Sequence, residues 1–145
     1  MRIALASDHA GFWLKEHIKG LLNEYGHETV DFGCKDERPV DYPDTGRPAA
    51  EAVARGHCDR GILICGTGIG MSIVANKVPG VYAALCWNGV QAEFSRRHNN
   101  SNILVMGGWL TGRMIAEEIL DRWLKAEFEG NRHARRIAKI EPNGE

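Results

Sequence analysis

Residues 61–72 read Gly-Ile-Leu-Ile-Cys-Gly-Thr-Gly-Ile-Gly-Met-Ser, an apolar run that passes directly into a glycine-rich turn. The apolar run predicts a buried strand over residues 61–65, and the pattern after it predicts a helix from about Gly70. Glycines in such a turn allow backbone N–H groups to face a ligand, and the N-terminus of a helix favours negative charge. The stretch therefore predicts a small anion-binding loop with the thiol of Cys65 at its mouth, where the helix end favours the thiolate.

Short strand-like runs alternate with helical patterns along the rest of the chain. The predicted strands cover residues 3–6, 29–32, 61–65, 81–86 and 103–106, and apolar residues recur at helical spacing in 12–25, 49–54, 90–98 and 110–124. Residues 34–46 contain two prolines and Gly46, and they predict a loop. Strands separated by helices imply βαβ units. The predicted fold class is α/β, a three-layer doubly wound (Rossmann-like) sandwich with a five-stranded parallel sheet.

Length and composition limit the function classes. With 145 residues, the chain has the size of one domain spanning 1–145, of which about 138–145 carry no recognisable pattern. A formal net charge of −1 argues against a nucleic-acid or membrane-surface partner. No apolar run approaches the roughly 20 residues of a membrane span. The four cysteines have neither CxxC nor metal-ligand spacing, and no export signal is evident, so we expect a cytoplasmic protein without a metal.

The glycine loop does not match the common nucleotide motifs. A dinucleotide fingerprint would require glycine at position 71, where Met71 stands, and no Lys-Ser/Thr pair follows the glycines as in a Walker loop. The alternative for Cys65 is that it packs as a small buried hydrophobe, which is a usual fate of cysteine. Its position alone leaves both interpretations open.

Polar residues also follow other predicted strands and helices. Asp8 and His9 follow the first strand, where Asp8 would alternatively only cap the next helix. Tyr42 lies in the segment Asp-Tyr-Pro-Asp, which is equally compatible with a simple turn. His98 and Asn99 end a predicted helix, and the alternative for them is a capping role.

A basic run near the C-terminus offers a second anion site. Arg132 and Arg136 are four residues apart, so on a helix both point the same way and are able to grip a phosphate. The alternative is a solvated basic face.

Taken together, these stretches resemble the type B ribose-5-phosphate isomerases and their relatives, the galactose-6-phosphate and allose-6-phosphate isomerases. The resemblance runs in order across roughly residues 2–137, and the Cys-Gly-Thr-Gly-x-Gly block is its most specific part. The matching stretches are Ser-Asp-His-Ala-Gly at 7–11, Val-Asp-Tyr-Pro-Asp at 40–44, residues 61–72, Ala-Asn-Lys-Val-Pro-Gly at 75–80, Ser-Arg-Arg-His-Asn-Asn-Ser-Asn at 95–102 and Arg-His-Ala-Arg-Arg at 132–136.

The resemblance implies an aldose–ketose isomerase, above all one that interconverts ribose 5-phosphate and ribulose 5-phosphate through an enediolate. It implies no metal or other cofactor, a sugar phosphate as the small-molecule partner, and a homodimer or tetramer whose active sites are shared between subunits. The implied catalytic residues are Cys65 as the base, Thr67 for the hydroxyl proton, His98 for ring opening and Asp8 for positioning hydroxyls. The implied substrate-binding residues are His9, Arg132 and Arg136 at the phosphate, Asn99 at the hydroxyls, Tyr42 as a wall, and the backbone of the loop through Gly66, Gly68, Gly70 and Ser72.

Three departures from the family pattern bear on substrate choice. Trp109 stands where relatives often carry an arginine, residues 87–91 differ from the usual pattern, and Asn131 replaces a common glycine, a mild change because asparagine tolerates left-handed backbone. The alternatives are therefore an isomerase of a hexose 6-phosphate such as allose or galactose 6-phosphate, or a sugar-phosphate-binding protein without turnover. A nucleotide-dependent enzyme is disfavoured by the motif mismatches.

Overall fold

A computed structural model describes residues 1–141. Residues 142–145, the end of the tail for which the sequence predicts nothing, lie outside the described residues. Five parallel strands form one sheet in the order β2-β1-β3-β5-β4, and this confirms the predicted α/β class. The strands are β1 Arg2–Ser7, β2 Glu28–Asp31, β3 Arg60–Cys65, β4 Ala83–Leu85 and β5 Ile103–Gly107.

The described residues form six α-helices, which pack on and around the two faces of the sheet. They are α1 Phe12–Glu24, α2 Tyr42–Ala54, α3 Ile69–Asn76, α4 Gly89–Asn99, α5 Arg113–Lys125 and α6 Asn131–Ile137, and a 3-10 turn at His9–Gly11 precedes α1. The core has two parts, one on each face of the sheet. Met71 and Val74 of α3 belong to one part, and Ile18 of α1 and Trp123 of α5 belong to the other. The sheet is thus the middle layer of a sandwich.

The predicted loop over residues 34–46 is wrong in its second half, because α2 begins at Tyr42. Pro43 lies in the first turn of the helix, where a residue without an N–H group costs no hydrogen bond. Gly46 is buried because α2 crosses α3 closely, and a β-carbon there would lie 2.5 Å from the sulfur of Met71. Pro43 and Gly46, which are typical of turns, therefore start a helix here and allow it to pack closely against α3.

The strand order reverses direction between β1 and β3. From β1 the chain moves outward to β2 on one side, and the later strands lie on the other side. In doubly wound sheets this position opens a crevice at the carboxyl ends of the strands, where ligands bind. Asp8 follows β1 and Cys65 ends β3, so both lie at this crevice. Over residues 1–141, none of the helices has the length and apolar character that crossing a membrane requires.

Candidate active site

The glycine loop joins β3 to α3 at the carboxyl edge of the sheet. Cys65 is buried, with 5% of its surface exposed, and it pairs with Gly107 at the end of β5. Gly68 has φ of 81°, a left-handed conformation that turns the chain into α3 at low cost only for glycine. The hydroxyl of Thr67 accepts a hydrogen bond from the Ile69 amide at 3.3 Å. Since the first N–H groups of a helix have no partner within it, the loop presents free donors beside the thiol.

Two aromatic rings pack against this loop. A β-carbon at Gly70 would lie 2.8 Å from the ring of Tyr42, and one at Gly66 would lie 2.7 Å from the indole of Trp109. The indole is 71% exposed, and the amide of Trp109 donates to the carbonyl of Gly66 at 3.0 Å. The glycines therefore let two aromatic side chains lie directly on the loop backbone, one on each side of the residues that follow Cys65.

Asp8 and His9 lie beside the same loop. The amide of Asp8 donates to the carbonyl of Ile64 at 3.3 Å, and one oxygen of its buried carboxylate accepts from Gly11 at 3.1 Å. Asp8 thus caps the 3-10 turn, as the alternative interpretation proposed, and its second oxygen remains able to meet a ligand. The ring of His9 accepts a hydrogen bond from the Val40 amide at 3.3 Å. The structure brings these two residues to the same crevice as Cys65.

The remaining predicted site residues lie at the other end of the sheet. His98 and Asn99 end α4 just before β5, whose first residue pairs with Gly61, whereas Cys65 pairs with the last residue of β5. At about 3.3 Å per residue, the five-residue strand separates these two ends by roughly 13 Å. Arg132 and Arg136 are exposed on α6, which packs on α4 beside His98. Within one chain, the predicted site is therefore divided into two groups.

The second group is organised around His98. Its ring stacks on that of His133 with centroids 4.1 Å apart and planes 9° apart, and the edge of Phe94 contacts it from a centroid distance of 4.7 Å. One carboxylate oxygen of Glu129 lies 3.8 Å from Nε2 of His98 and 3.5 Å from Nε2 of His133. The other oxygen accepts two hydrogen-bonding contacts from the guanidinium of Arg97, at 2.7 and 2.6 Å.

These charges and burial shift the ionisation of the cluster. The guanidinium of Arg97 holds the pKa of Glu129 below its usual value. Burial, followed by the neighbouring His98 and Arg132, lowers the pKa of His133. His133 is buried, and its Nε2 has no hydrogen-bond partner among the described residues.

The donor atoms of His98, Glu129 and His133 all lie within 4.8 Å of one another. The sequence did not predict this group, because the three residues do not have the spacing of a metal-binding motif. A metal ion must lie in the plane of each imidazole that binds it. Two rings stacked with parallel planes do not meet that condition, so one ring would have to rotate before both could bind an ion.

Glu129 and His133 were not singled out from the sequence. Their spacing of four residues was visible, but Glu129 precedes α6 and meets His98 only because α6 packs against the end of α4. The left-handed backbone at Gly130 and Asn131, with φ of 64° and 47°, makes the turn that brings them there. The tolerance of asparagine for this conformation was predicted correctly.

A doubly wound sheet with a thiol and a glycine loop at its crevice defines an α/β protein with a candidate site for a small anionic ligand. Residues 3–140 match the family model described as ribose/galactose isomerase. Ribose-5-phosphate isomerase B of Escherichia coli is 45% identical over 139 residues, which are 96% of this chain and 93% of that protein. D-erythrulose-4-phosphate isomerase of Pectobacterium atrosepticum is 41% identical over 142 residues, covering 97% and 93%. The structure of Clostridium thermocellum ribose-5-phosphate isomerase B superposes with a TM-score of 0.95 at 54% identity, covering 97% and 95% of the two chains.

The chain belongs to the ribose/galactose isomerase family, and within it to the branch of the type B ribose-5-phosphate isomerases. The expected resemblance is thereby confirmed over nearly the whole described chain.

Proposed function

We propose that this protein is an aldose–ketose isomerase that interconverts ribose 5-phosphate and ribulose 5-phosphate. The observation that carries the proposal is the position of Cys65. Cys65 ends β3 at the switch point of the sheet, directly before the glycine loop into α3, on which the rings of Tyr42 and Trp109 pack. A base next to donors for a developing oxyanion is the arrangement that proton abstraction next to a carbonyl requires.

In the proposed reaction, Cys65 removes the proton from C2 of the open-chain aldose and returns it to C1. The electrons move into an enediolate, whose oxygen the loop amides of residues 66–72 stabilise. Thr67 moves the hydroxyl proton, and Asp8 positions the hydroxyl groups through its free oxygen. Before this step His98 opens the furanose ring, with Asn99 binding a hydroxyl. We assign the binding of the substrate phosphate to His9, Arg132 and Arg136.

We propose that the active site is shared between two copies of the chain. Within one chain, Cys65 and His98 lie at opposite ends of the sheet, so a second copy is needed to bring the two groups together. Exposed apolar side chains near the loop support self-association: Ile69 and Ile73 on α3 are 52% and 57% exposed, and Trp109 and Met114 are 71% and 82% exposed. Apolar exposure of this extent is typical of an interaction surface.

The proposed chemistry needs no metal, since the loop amides stabilise the oxyanion and Cys65 transfers the proton. The second candidate substrate is erythrulose 4-phosphate, favoured by the relative from Pectobacterium atrosepticum that is named for it. Allose 6-phosphate and galactose 6-phosphate are the other candidate substrates.

Solvent exchange tests the proposal. The purified protein is incubated in D₂O containing EDTA with ribose, erythrose, allose or galactose phosphates, and deuterium at C2 is followed by NMR. We expect incorporation with ribose 5-phosphate at the highest kcat/KM. A protein that only binds sugar phosphates would exchange no C2 hydrogen, and a metal-dependent enzyme would lose exchange in EDTA; either result would contradict the proposal.

A further inference from the structure

One carboxylate at the end of α4 faces two imidazoles at once. Glu129 is fixed in place by its backbone amide, which donates to the carbonyl of Arg97 at 3.0 Å, and by the guanidinium of Arg97, which binds only one of its carboxylate oxygens. The second oxygen points to Nε2 of both His98 and His133, at 3.8 and 3.5 Å. Holding one oxygen leaves the other available to the two rings.

The buried ring nitrogen of His133 does not stabilise the fold through a hydrogen bond to any described residue. Its side chain is 6% exposed, and Nε2 lacks a hydrogen-bond partner among the described residues. A buried polar atom without a hydrogen-bond partner destabilises the fold, so a phenylalanine would fill this position at a lower cost in free energy. Nε2 faces the carboxylate of Glu129, and the ring of His133 stacks on the ring of His98. These contacts indicate that His133 supports the function of His98.

We propose that Glu129 and His133 are positioning residues for His98 in ring opening: they fix the plane of its imidazole and keep one mobile proton on the stacked pair. The inference rests on the proposed function, in which His98 opens the sugar ring. Phe94 and His133 hold the ring from two sides. The negative charge of Glu129 stabilises one positive charge on the pair, and two imidazolium rings at 4.1 Å would repel each other.

One stored proton is what the ring-opening step needs. The anomeric O1–H bond breaks, the electrons form the C1=O1 carbonyl, the bond from C1 to the ring oxygen breaks, and the ring oxygen takes up a proton. The number of protons on the sugar does not change, so a group that takes one and returns one is sufficient. Arg97, Arg132 and Arg136 surround the pair with positive charge, and Glu129 provides the opposing charge.

Two substrates separate ring opening from isomerisation. Ribose 5-phosphate is a furanose that must be opened, whereas ribulose 5-phosphate stays open because its O5 is esterified. We expect Glu129→Gln to lower kcat for ribose 5-phosphate by about 10-fold or more, and kcat for ribulose 5-phosphate by no more than about 3-fold. His133→Phe, which keeps a stacked ring without nitrogen, should have the same selective effect. The alkaline limb of the ribose 5-phosphate pH profile should move to lower pH in Glu129→Gln, because a neutral amide no longer stabilises the proton that the pair must carry.

The matched control is Glu93→Gln. Glu93 also pairs with Arg97, at 2.9 Å, but its hydrogen bonds and ion pairs within residues 1–141 are with Arg97 and Arg122 and with neither histidine, so this variant should keep both rates. His98→Asn, measured in parallel, tests the proposed function itself: it should lose only the ribose 5-phosphate reaction. If that variant behaves as expected while Glu129→Gln keeps the wild-type rate and pH profile, the inference is overturned and the proposed function stands. Equal losses on both substrates in Glu129→Gln would mean a purely structural role and also overturn it.

Discussion

At the scale of single residues, the four cysteines show how position separates a reactive thiol from packing. Burial raises the pKa of Cys86 to about 11 and also raises the pKa of Cys58, so both stay protonated at neutral pH. Cys34 lies 3.7 Å from the hydroxyl of Ser7. Cys65 alone among the four ends a strand from which a glycine loop leads into the N-terminus of a helix.

This difference predicts selective alkylation. Iodoacetamide at pH 7.5 should modify Cys65 first and abolish activity at the same rate, because the thiolate is the reactive form. Saturating ribose 5-phosphate should slow both processes together. Mass spectrometry of the modified peptide identifies the site. Cys58→Ala and Cys86→Ala should be inactivated as fast as the wild type, and inactivation that tracks another cysteine would exclude Cys65 as the base.

The basic residues of α6 give a second prediction at this scale. Arg136→Ala should raise KM for ribose 5-phosphate by about 10- to 100-fold, since a hydrogen bond to a charged group contributes roughly 1.5–3 kcal/mol. Turnover of unphosphorylated ribose should not change. Arg135→Ala is the matched control: it removes a neighbouring exposed charge that points about 100° away around the helix. Equal effects of the two substitutions would indicate general charge attraction and not a phosphate grip.

At the scale of elements, a buried ion pair fastens α1 to the edge of the sheet. Nζ of Lys15, whose side chain is 1% exposed, lies 2.6 Å from a carboxylate oxygen of Asp31 in β2 and 2.7 Å from Glu16. Lys19 contacts the same oxygen of Asp31 at 2.9 Å. Burial alone would raise the pKa of Asp31, but the hydrogen bonds from the two lysines outweigh it and leave the pKa below its usual value.

Asp31→Asn should therefore lower the free energy of unfolding by about 3 kcal/mol, because the charge of Lys15 stays buried without its main partner. Urea denaturation followed by circular dichroism measures the change. The wild type should also lose this contribution as the pH falls through the depressed pKa of Asp31, since the folded state must then take up a proton. Asp121→Asn, which breaks an exposed pair with Lys125, should change stability by less than about 1 kcal/mol. Similar losses in the two variants would contradict the account.

The strands and most helices followed from apolar periodicity, because that pattern directly reflects which face is buried. The start of α2 did not, since Pro43 and Gly46 have the composition of a turn and their helical role depends on packing against α3. The burial of Lys15 was equally hidden, because a lysine is buried only where carboxylates from another element meet it.

At the scale of the whole molecule, the structure divides the candidate site residues into two groups at opposite edges of the sheet. The crevice residues around Cys65 could be located from the sequence, because strand ends in a parallel sheet share one edge. That His98 lies at the opposite edge depends on the direction of α4, and the approach of Glu129 to it depends on the packing of α6. The spacing of residues along the sequence predicts neither the position of His98 nor the approach of Glu129.

A shared site predicts complementation between inactive variants. Cys65→Ala and His98→Asn should each be inactive with ribose 5-phosphate, and refolding them together should restore about a quarter of the wild-type rate. Half of the dimers formed at random are hybrids, and each hybrid has one of its two sites intact. Activity is measured before and after mixing, and a mixture of two Cys65→Ala preparations is the control. A mixture that stays inactive although hybrid dimers are detected would place each site within one chain.

The central claim is that the thiol of Cys65 carries the proton between the two carbons. Its most direct test is the rate at which C2 of ribose 5-phosphate, or C1 of ribulose 5-phosphate, takes up deuterium from D₂O with the Cys65→Ala variant. We predict a rate at least about 10²-fold below that of the wild type, since a positioned base contributes about 10²–10⁴-fold and the fully buried Met71 offers no carboxylate to replace it. Cys58→Ala should exchange within about 3-fold of the wild type. A folded Cys65→Ala protein that exchanges deuterium at the wild-type rate would contradict the mechanism.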